Sequence, residues 1–273
     1  MESTRETISL SEAQETLLIP LYSKAEESQR SDPIFVDEKA QAILEQLDYD
    51  FSRLGIPRKT AIMLCLRASK LDAYTRAFIA RHPDCVVLHL GCGLDSRCLR
   101  VPHPDAIWYD LDLPPVIELR RKFYPETPTY HLIPSSVTDL DWIDTIAAQE
   151  RPVLVVAEGL LMYLSENEVR ALFLKLREAF PGCSLACDVY SAVTARRAKD
   201  HPSLKKTGAV LQWGIDDAHD IEQWAAGIQL VEEWYFAQAD EIDRLGIGYR
   251  LTFRLAGLFA MANKAHRILY FML

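Results

Sequence analysis

The segment that decides the fold is Cys-Val-Val-Leu-His-Leu-Gly-Cys-Gly-Leu-Asp-Ser-Arg, residues 85–97. An apolar run of strand length stops at a Gly-x-Gly turn, and Asp95 follows two residues after the second glycine. Gly91 and Gly93 let the backbone turn sharply and let a ligand lie against it, because neither carries a Cβ. Nucleotide-like ligands bind at such turns, at the carboxyl ends of parallel strands. The segment therefore predicts a Rossmann-like α/β sheet with a ligand site at this turn.

A second acidic segment, Trp-Tyr-Asp-Leu-Asp-Leu-Pro, occupies residues 108–114. It places Asp110 and Asp112 at the end of the next predicted strand, about 20 residues after the glycine turn, which is the spacing of a carboxylate that holds ribose hydroxyls. This spacing supports a nucleoside-containing ligand and makes both aspartates candidates for the ribose contact.

The residues after the glycine turn favour S-adenosylmethionine over NAD. A dinucleotide-binding loop has a third glycine three residues after the second, where this chain has Ser96. Asp95 would oppose a pyrophosphate, but it suits a cationic ligand with a free amino group. S-adenosylmethionine carries a sulfonium and an ammonium and has no phosphate. An NAD-dependent oxidoreductase remains the alternative.

Composition limits the class of protein and its partners. The 273 residues are 49% hydrophobic and 25% charged, as in a soluble globular protein with a full core. The net charge of −9 argues against a nucleic-acid partner. The absence of a signal-like start or a long apolar run predicts a cytoplasmic protein that does not bind membranes. Six cysteines without a Cys-x-x-Cys pair predict reduced thiols and no metal site.

Hydrophobic periodicity predicts one domain, residues 1–273, with a helical N-terminal cover over 1–84 and a Rossmann-like core over 85–273. The substrate side is expected to carry an insertion at about 190–262. The predicted helices are 11–27, 36–47, 58–80, 115–123, 142–149 and 165–180. The predicted strands are 86–90, 106–110, 129–133, 153–157, 184–188, 228–236 and 266–273. The last two strands are expected to pair antiparallel at one edge of a mostly parallel, seven-stranded sheet.

Two further segments bring polar side chains to the carboxyl edge of this sheet. Glu158 directly follows the apolar strand 153–157, so with Asp95 it can pair with a ligand's ammonium group; alternatively, Glu158 only begins a polar loop. Ser135 and Ser136 follow the third strand, and small hydroxyl residues there suit the edge of an adenine ring. Such residues are equally common in ordinary turns.

Five segments, in their order and spacing, resemble the leucine carboxyl methyltransferase family, and within it the bacterial polyketide O-methyltransferase branch. They are Leu-Arg-Ala-Ser-Lys-Leu-Asp at 66–72, Leu-Gly-Cys-Gly-Leu-Asp-Ser-Arg at 90–97, Asp-Leu-Asp-Leu-Pro at 110–114, Ser-Val-Thr-Asp-Leu-Asp-Trp at 136–142 and Ala-Glu-Gly-Leu-Leu-Met-Tyr-Leu at 157–164. The chain departs from the usual family pattern at Cys92, where alanine is commoner, and at Ala68, where threonine often follows the arginine.

The resemblance implies a class I methyltransferase fold with S-adenosylmethionine as the methyl donor. It implies that Arg67 binds the donor's carboxylate and that Asp112 binds its ribose hydroxyls. The other donor contacts that it implies are Gly91 and Gly93 at the methionine part, Ser136 and Val137 at the adenine, and Glu158 at the amino group. Arg97 is expected to be structural, tying the glycine turn to a neighbouring carboxylate.

The methyl acceptor is expected to be a small molecule. A carboxylate acceptor needs no general base, whereas a phenol or alcohol does. Since no histidine is placed at a strand end in the site, the sequence favours a carboxyl or an acidic hydroxyl. Tyr163 is a candidate acceptor contact, with core packing as the alternative. A protein C-terminal carboxyl methyltransferase and a catalytically silent binding protein of the same fold remain the other functional hypotheses.

Two groups of apolar residues are candidates for the acceptor pocket. The first is expected to form part of a lid, with packing on the flanking helices as the alternative: Leu17, Leu18, Pro20, Leu21 and Tyr22. The second is expected to pack in the core, with an aromatic acceptor pocket as the alternative: Trp213, Trp224 and Trp234.

Overall fold

The computed structural model describes residues 6–7, 14–198 and 210–273. Its strands, in chain order, are β1 (Glu6–Thr7), β2 (Leu47–Asp48), β3 (Val86–Leu90), β4 (Ile107–Asp112), β5 (Tyr130–Pro134), β6 (Val153–Ala157), β7 (Ser184–Tyr190), β8 (Gln229–Tyr235) and β9 (His266–Met272). Seven of them form one sheet in the order β5-β4-β3-β6-β7-β9-β8, and β1 pairs with β2 separately. Strands β3 to β7 run parallel, while β9 is antiparallel to both of its neighbours. The predicted mostly parallel sheet with antiparallel pairing at one edge is confirmed.

The α-helices are α1 (Leu18–Ser28), α2 (Glu38–Gln46), α3 (Arg58–Arg81), α4 (Arg97–Arg100), α5 (Pro114–Arg121), α6 (Glu166–Ala179), α7 (Ala192–Ala198), α8 (Ile247–Gly257) and α9 (Ala260–Asn263). Short 3-10 helices occupy Gln14–Leu17, Phe51–Leu54, Leu140–Thr145, Leu161–Tyr163, Ala218–Trp224, Phe236–Gln238 and Asp240–Arg244. Helix α6 begins as predicted, with a capping box in which Ser165 Oγ accepts from the Glu168 amide and Glu168 accepts from the Ser165 amide.

Two predicted helices differ from the structure. The helix expected at 142–149 is wrong: a 3-10 helix ends at Thr145, and Ile146 is already extended. Three β-branched residues, Ile143, Thr145 and Ile146, lower the helix propensity of this segment. The helix expected at 11–27 is α1 preceded by a 3-10 turn at Gln14–Leu17. Residues 11–13 lie outside the described part of the chain.

The core lies on both faces of the sheet, because its parallel strands are buried on both sides. Successive side chains of β3 point to opposite faces of the sheet, so they belong to two hydrophobic clusters. Val87 lies in the cluster formed with α1, α2, α3 and α5. Val86, Leu88 and Leu90 face the opposite cluster, which includes α6. The N-terminal helices therefore cover one face of the sheet, and all six cysteines are buried and free.

A buried ion pair fixes β4 and α5 beneath the glycine turn. The Arg120 guanidinium pairs with Asp110, and both side chains are fully buried. Trp108 Nε1 donates to Asp110 Oδ1 over 2.8 Å, and the Tyr130 hydroxyl donates to Oδ2. Burial acts to raise the pKa of Asp110, but Arg120, His89 and the Tyr130 hydroxyl hold it at about 2. The Asp110 carboxylate therefore binds core side chains and is not free to bind a ligand.

Replacing Asp110 with asparagine leaves Arg120 as an unpaired buried cation, so we expect the free energy of unfolding to fall by about 3–5 kcal/mol. Because the folded-state pKa is below the ~3.9 of an unfolded aspartate, ionisation of Asp110 stabilises the wild type above pH ~4. That contribution is lost as the pH falls through about 2. Denaturant titrations at neutral and acidic pH measure both effects.

The matched control is Asp105→Asn, at an exposed aspartate in the loop before β4. We expect its free energy of unfolding to equal that of the wild type. Equal stability of the Asp110 and Asp105 variants would show that the buried pair does not stabilise the fold.

Candidate active site

A cavity of about 1040 Å³ lies at the carboxyl edge of the sheet. Its walls come from the segments that follow β3, β4, β5 and β6, from the end of β7 and from the start of β9. Helices α1 and α3 border it from the N-terminal cover. The loops that follow the parallel strands therefore meet at the carboxyl edge of the sheet, as the sequence predicts.

The glycine turn forms one wall of the cavity. Gly91 and Gly93 have φ angles of 62° and 50°, a conformation that side chains disfavour. A Cβ on Gly91 would lie 3.0 Å from Leu160 Cδ1, and one on Gly93 would lie 3.3 Å from Leu17 Cβ. The Cys92 amide joins the turn to β4 by donating to the Leu111 carbonyl over 3.1 Å. Glycine is needed here for both conformation and space.

Asp112 lines the cavity at the end of β4, whereas Asp110 does not. Its two carboxylate oxygens accept the amides of Gly93 at 2.8 Å and Leu113 at 2.7 Å. Burial raises the pKa of Asp112 above its ordinary value, against the effect of these amides. Each oxygen has a second lone pair for a ligand hydroxyl. Of the two aspartates predicted as ribose contacts, Asp112 thus lies on the cavity wall and Asp110 does not.

Ser136 and Val137 lie beside Asp112 on the cavity wall. The Ser136 and Thr138 hydroxyls are 2.8 Å apart, and the Val137 side chain is buried. A hydroxyl next to an apolar surface matches the predicted adenine contact, although the turn also uses Ser136 to bind the Thr138 amide.

Glu158 lies at the centre of the cavity edge, surrounded by cations. Arg67 Nε donates to its Oε1 over 3.1 Å, Arg97 donates to Oε2, and Lys24 Nζ lies 3.9 Å from Oε1. Burial acts to raise the pKa of Glu158, but Lys24, Arg67 and Arg97 together hold it below its ordinary value. The side chain is therefore an ionised carboxylate, not the start of a solvated loop.

Asp95 lines the cavity too, but its charge is already neutralised within the protein. It pairs with Lys24, accepts from Arg100 over 3.2 Å and caps the Arg97 amide over 2.7 Å. Burial acts to raise its pKa, and Arg100 and Lys24 hold the pKa well below its ordinary value. Lys24 thus lies where the sequence analysis placed the ligand's ammonium.

Lys24 is a site residue that sequence reasoning missed. It continues the helical spacing of Leu17, Pro20 and Leu21, and it lines the cavity with them. A lysine on an otherwise apolar helix face is a signal that could have identified it, since a buried lysine needs a charged partner.

Arg67 is buried beside Glu158, as the resemblance implies for a site residue. Its Nη1 donates to Asp188 Oδ2 over 3.0 Å. Gly159, at a φ of 65°, makes room for the guanidinium: a Cβ there would lie 3.0 Å from Arg67 Nη2. Arg97 has the expected structural role, because it joins the end of the glycine turn to Glu158 and, over 2.7 Å, to Asp72.

The other end of the cavity is bordered by Tyr163, Tyr190 and His266. His266 Nε2 lies 2.7 Å from Asp188 Oδ2, and the imidazole stacks on the Tyr190 ring at 4.3 Å. Burial raises the pKa of Tyr163. The expectation that no strand-end histidine lies in the site is wrong. Because β9 is antiparallel to β7, its first residue lies at the edge where β7 ends.

Three of the five predicted lid residues line the cavity: Leu17, Pro20 and Leu21. For Leu18 and Tyr22 the lid prediction is wrong. Leu18 is fully buried in the core, and Tyr22 stacks on Phe51 with ring centroids 5.6 Å apart. Helix α1 therefore has one face in the core and another on the cavity, which combines the two alternatives.

The three tryptophans pack in the core rather than around an acceptor. Trp213 and Trp224 lie against each other at 6.4 Å, and Trp234 packs on Phe236 at 5.3 Å. In the described part of the chain none of the three lines the cavity. Among the described residues of the predicted insertion at 190–262, those that line the cavity are Tyr190, Thr194, Arg197, Val210, Leu211 and Gln212.

Within residues 6–7, 14–198 and 210–273, no helix is both long and apolar enough to cross a membrane. The same ranges hold no group of three histidine, cysteine, aspartate or glutamate side chains placed to bind a metal ion.

Residues 18–177 match the sequence profile of the family described as leucine carboxyl methyltransferase. This chain belongs to the leucine carboxyl methyltransferase family. A Streptomyces glaucescens protein named tetracenomycin polyketide synthesis O-methyltransferase TcmP is 40% identical over 253 residues, which cover 90% of this chain and 93% of that protein. A Gibberella zeae protein named S-adenosyl-L-methionine-dependent methyltransferase dpfgK is 28% identical over 84% of each chain.

Solved structures share the fold at low sequence identity. A DUF574 family protein from Streptomyces avermitilis superposes with a TM-score of 0.61 at 12% identity, covering 94% of this chain and 96% of that one. A Thermobifida fusca protein assigned as a methyltransferase gives 0.55 at 17% identity, covering 92% and 93%. The predicted class I fold, the predicted enzyme class and S-adenosylmethionine as donor are confirmed.

Replacing Asp112 with alanine removes one acceptor of ribose hydroxyls and one anchor of the Gly93 amide. We expect the affinity for S-adenosylhomocysteine to fall by about 1.5–3 kcal/mol, the range of a hydrogen bond to a charged group. Isothermal titration calorimetry measures this change. Asp139→Ala, at an exposed position in the next loop, is the matched control and should bind like the wild type. Unchanged affinity of the Asp112 variant would remove it from the donor site.

Proposed function

We propose that this enzyme transfers the methyl group of S-adenosylmethionine to an oxygen atom of a polyketide-like small molecule bound in the cavity. The proposal rests on the continuity of this cavity. It runs from the glycine turn and Asp112 at one end to Tyr163 and His266 at the other. Its volume is at the upper end of the ~300–1,000 Å³ typical of ligand pockets. The name of the relative that is 40% identical supports a polyketide acceptor.

The residues at the first end fit the donor. Gly91 and Gly93 form a cradle that a Cβ would obstruct, which leaves backbone for the methionine part to approach. Asp112 accepts the ribose hydroxyls, and Ser136 and Val137 border the adenine. These assignments place an apolar side chain and hydrogen-bond acceptors beside the adenosine part of the donor, which carries no charge.

Charged residues border the remaining part of the donor. The ionised Glu158 accepts hydrogen bonds from the donor's ammonium. Arg67 and Lys24 supply positive charge to the donor's carboxylate from α3 and α1. Asp95 keeps Lys24 in place through their ion pair. The cavity edge thus presents Glu158 and two cationic side chains to the amino-acid part of the donor, and Asp95 there is paired with Lys24.

When bound, the donor supplies an electrophilic methyl group on a sulfonium. The protein contributes position: it holds the acceptor oxygen in line with the methyl–sulfur bond, and positioning of this kind supplies up to about 7–11 kcal/mol. Pro20 and Leu21 on α1, with Leu17 at the end of the preceding 3-10 helix, exclude water from that region. This role matches the predicted lid for the face of α1 that borders the cavity.

The walls of the acceptor end favour a small, largely apolar molecule over a peptide. Met63 and Leu64 come from α3, and Met162 and Leu164 come from the segment after β6. These side chains suit the faces of fused rings, whereas a peptide C-terminus carries amides that need partners. The small-molecule acceptor is therefore preferred over a protein acceptor.

The donor and the reaction are tested together. By calorimetry, S-adenosylhomocysteine should bind with a dissociation constant in the low micromolar range, about −8 kcal/mol, and NAD should not bind. Mass spectrometry should detect methylated product from hydroxynaphthoic acids or hydroxyanthraquinone carboxylic acids. Equal binding of S-adenosylhomocysteine and NAD would contradict the donor assignment. Donor binding with no methyl transfer to any acceptor would identify a catalytically silent protein.

A further inference from the structure

Helix α7 brings an arginine to the acceptor end of the cavity. The helix follows β7, whereas the donor contacts that the sheet supplies lie at the ends of β3, β4, β5 and β6. Thr194 and Arg197 both line the cavity. Residues three apart in an α-helix share a face, so one face of α7 borders the cavity. Arg196 is exposed on the same helix and does not line the cavity.

Two contacts fix α7 to the chain beside it. The Ala192 amide donates to Asp216 Oδ1 over 3.0 Å at the start of the helix. A Cβ on Gly214 would lie 2.8 Å from Ala195 Cβ, so the two backbones approach each other closely only because this residue is glycine. The backbone that carries Arg197 therefore has a fixed position beside the cavity.

Three of the polar side chains at this end of the cavity have partners within the protein. The Thr194 hydroxyl lies 2.8 Å from the Ser191 hydroxyl, and Gln212 Nε2 donates to the Tyr163 carbonyl over 2.7 Å. His266 pairs with a buried aspartate, and burial lowers its pKa, so the imidazole is neutral at neutral pH. These three side chains offer hydrogen bonds, but they give the acceptor end no positive charge.

The positive charge at this end comes from Arg197. Among the described residues, three lysine or arginine side chains line the cavity. Lys24 pairs with Asp95, and Arg67 pairs with Glu158. Arg197 has no carboxylate partner in the described part of the chain. Because a guanidinium is always charged in proteins, the acceptor meets a cation whose charge no described carboxylate neutralises.

We propose that Arg197 determines acceptor specificity by binding a carboxylate of the acceptor. The inference rests on the proposed function and narrows its acceptor to molecules that are anionic at neutral pH. A planar guanidinium matches the two oxygens of a carboxylate, and charged hydrogen bonds of this kind are stronger than neutral ones. One cation also matches the single charge of a carboxylate, whereas a phosphate monoester carries nearly two.

The pair gains strength when the acceptor fills the cavity. Arg197 is exposed, so its guanidinium is hydrated before the acceptor binds. The rings of the acceptor then replace water beside Met162 and Leu164, and the attraction between the two charges rises as the local dielectric constant falls. An analogue without the carboxylate leaves the guanidinium without a partner, which is costly. The site therefore selects against neutral analogues.

The test measures binding to the complex of the enzyme with S-adenosylhomocysteine, so it does not depend on turnover. The probes are hydroxynaphthoic acids and hydroxyanthraquinone carboxylic acids, each compared with its primary amide, which keeps the rings and loses the charge. For the wild type, calorimetry should show about 10- to 100-fold tighter binding of the acid than of the amide, the range of a charged hydrogen bond.

Variants assign this preference to one side chain. Arg197→Gln should weaken binding of the acid by about 10- to 100-fold, raise its KM in parallel, and leave the affinities for the amide and for S-adenosylhomocysteine unchanged. Arg196→Gln, at the exposed neighbouring position, is the matched control and should behave as the wild type. Arg197→Lys keeps the charge without the planar pair of donors, so its preference for the acid should lie between those of the wild type and Arg197→Gln.

Ionic strength separates charge pairing from a structural role. Because the guanidinium is exposed, sodium chloride should weaken binding of the acid to the wild type and leave binding of the amide unchanged. Arg197→Gln should lose this dependence on salt, while its melting temperature stays that of the wild type.

Several results would overturn the inference while leaving the proposed function intact. They are equal binding of acid and amide, wild-type affinity of Arg197→Gln for the acid, an equal loss in Arg196→Gln, or a matching loss of affinity for S-adenosylhomocysteine. Absence of methyl transfer to every acceptor, with donor binding retained, contradicts the proposed function instead. The binding comparison is unaffected by that outcome, so the two failures are distinguishable.

Discussion

Glu158, a buried ionised carboxylate at the end of β6, determines how the parts of this site meet. Taking a charge out of water is costly unless partners surround it. Here the partners come from three different parts of the chain: Arg67 from α3, Arg97 from the end of the glycine turn and Lys24 from α1. Neutralising one carboxylate therefore joins the N-terminal cover to the sheet and fixes the wall of the cavity.

The same charges give the cavity its two chemically different ends. Near the glycine turn, Asp112, Glu158 and the cations around it suit a ligand that carries hydroxyls, an ammonium and a carboxylate. Beyond Arg67, apolar side chains line the cavity together with Tyr163, Tyr190 and His266, and Thr194, Arg197 and Gln212 add polar groups to its lining. Asp188 links these ends, because it binds Arg67 on one side and His266 on the other. Donor and acceptor groups are thereby held in one rigid frame.

Local sequence patterns were sufficient for most of the fold. Strands β3 and β6 are continuous apolar runs bounded by turn residues, and their predicted limits match the structure at both ends. The Ser165–Glu168 capping box predicts the start of α6 for the same local reason. The α-helix predicted at 142–149 is wrong because tertiary contacts bury Trp142 and Ile143 in a 3-10 helix. Hydrophobic periodicity alone does not distinguish such a turn from an α-helix.

Residues of the candidate site were predictable where they follow a parallel strand. They were missed where their position depends on how distant strands or helices pack together. Glu158 directly follows an apolar strand and Asp112 ends another, so both could be assigned to the carboxyl edge of the sheet. His266 begins a strand, and it reaches the same edge because β9 runs antiparallel beside β7. Lys24 depends on how α1 packs across the sheet. The donor role of Arg67 came from the family resemblance, whereas local chemistry suggested Ser136 but left an ordinary turn as an equal alternative.

A crystal structure of the complex with S-adenosylhomocysteine tests the central claim most directly. The account predicts the ligand's amino group within hydrogen-bond distance of Glu158, its ribose hydroxyls on Asp112 and its adenine beside Val137. The sulfur should then face the end of the cavity that Tyr163 and His266 border. A ligand bound elsewhere, or one whose ribose and amino group contact neither carboxylate, would contradict the account.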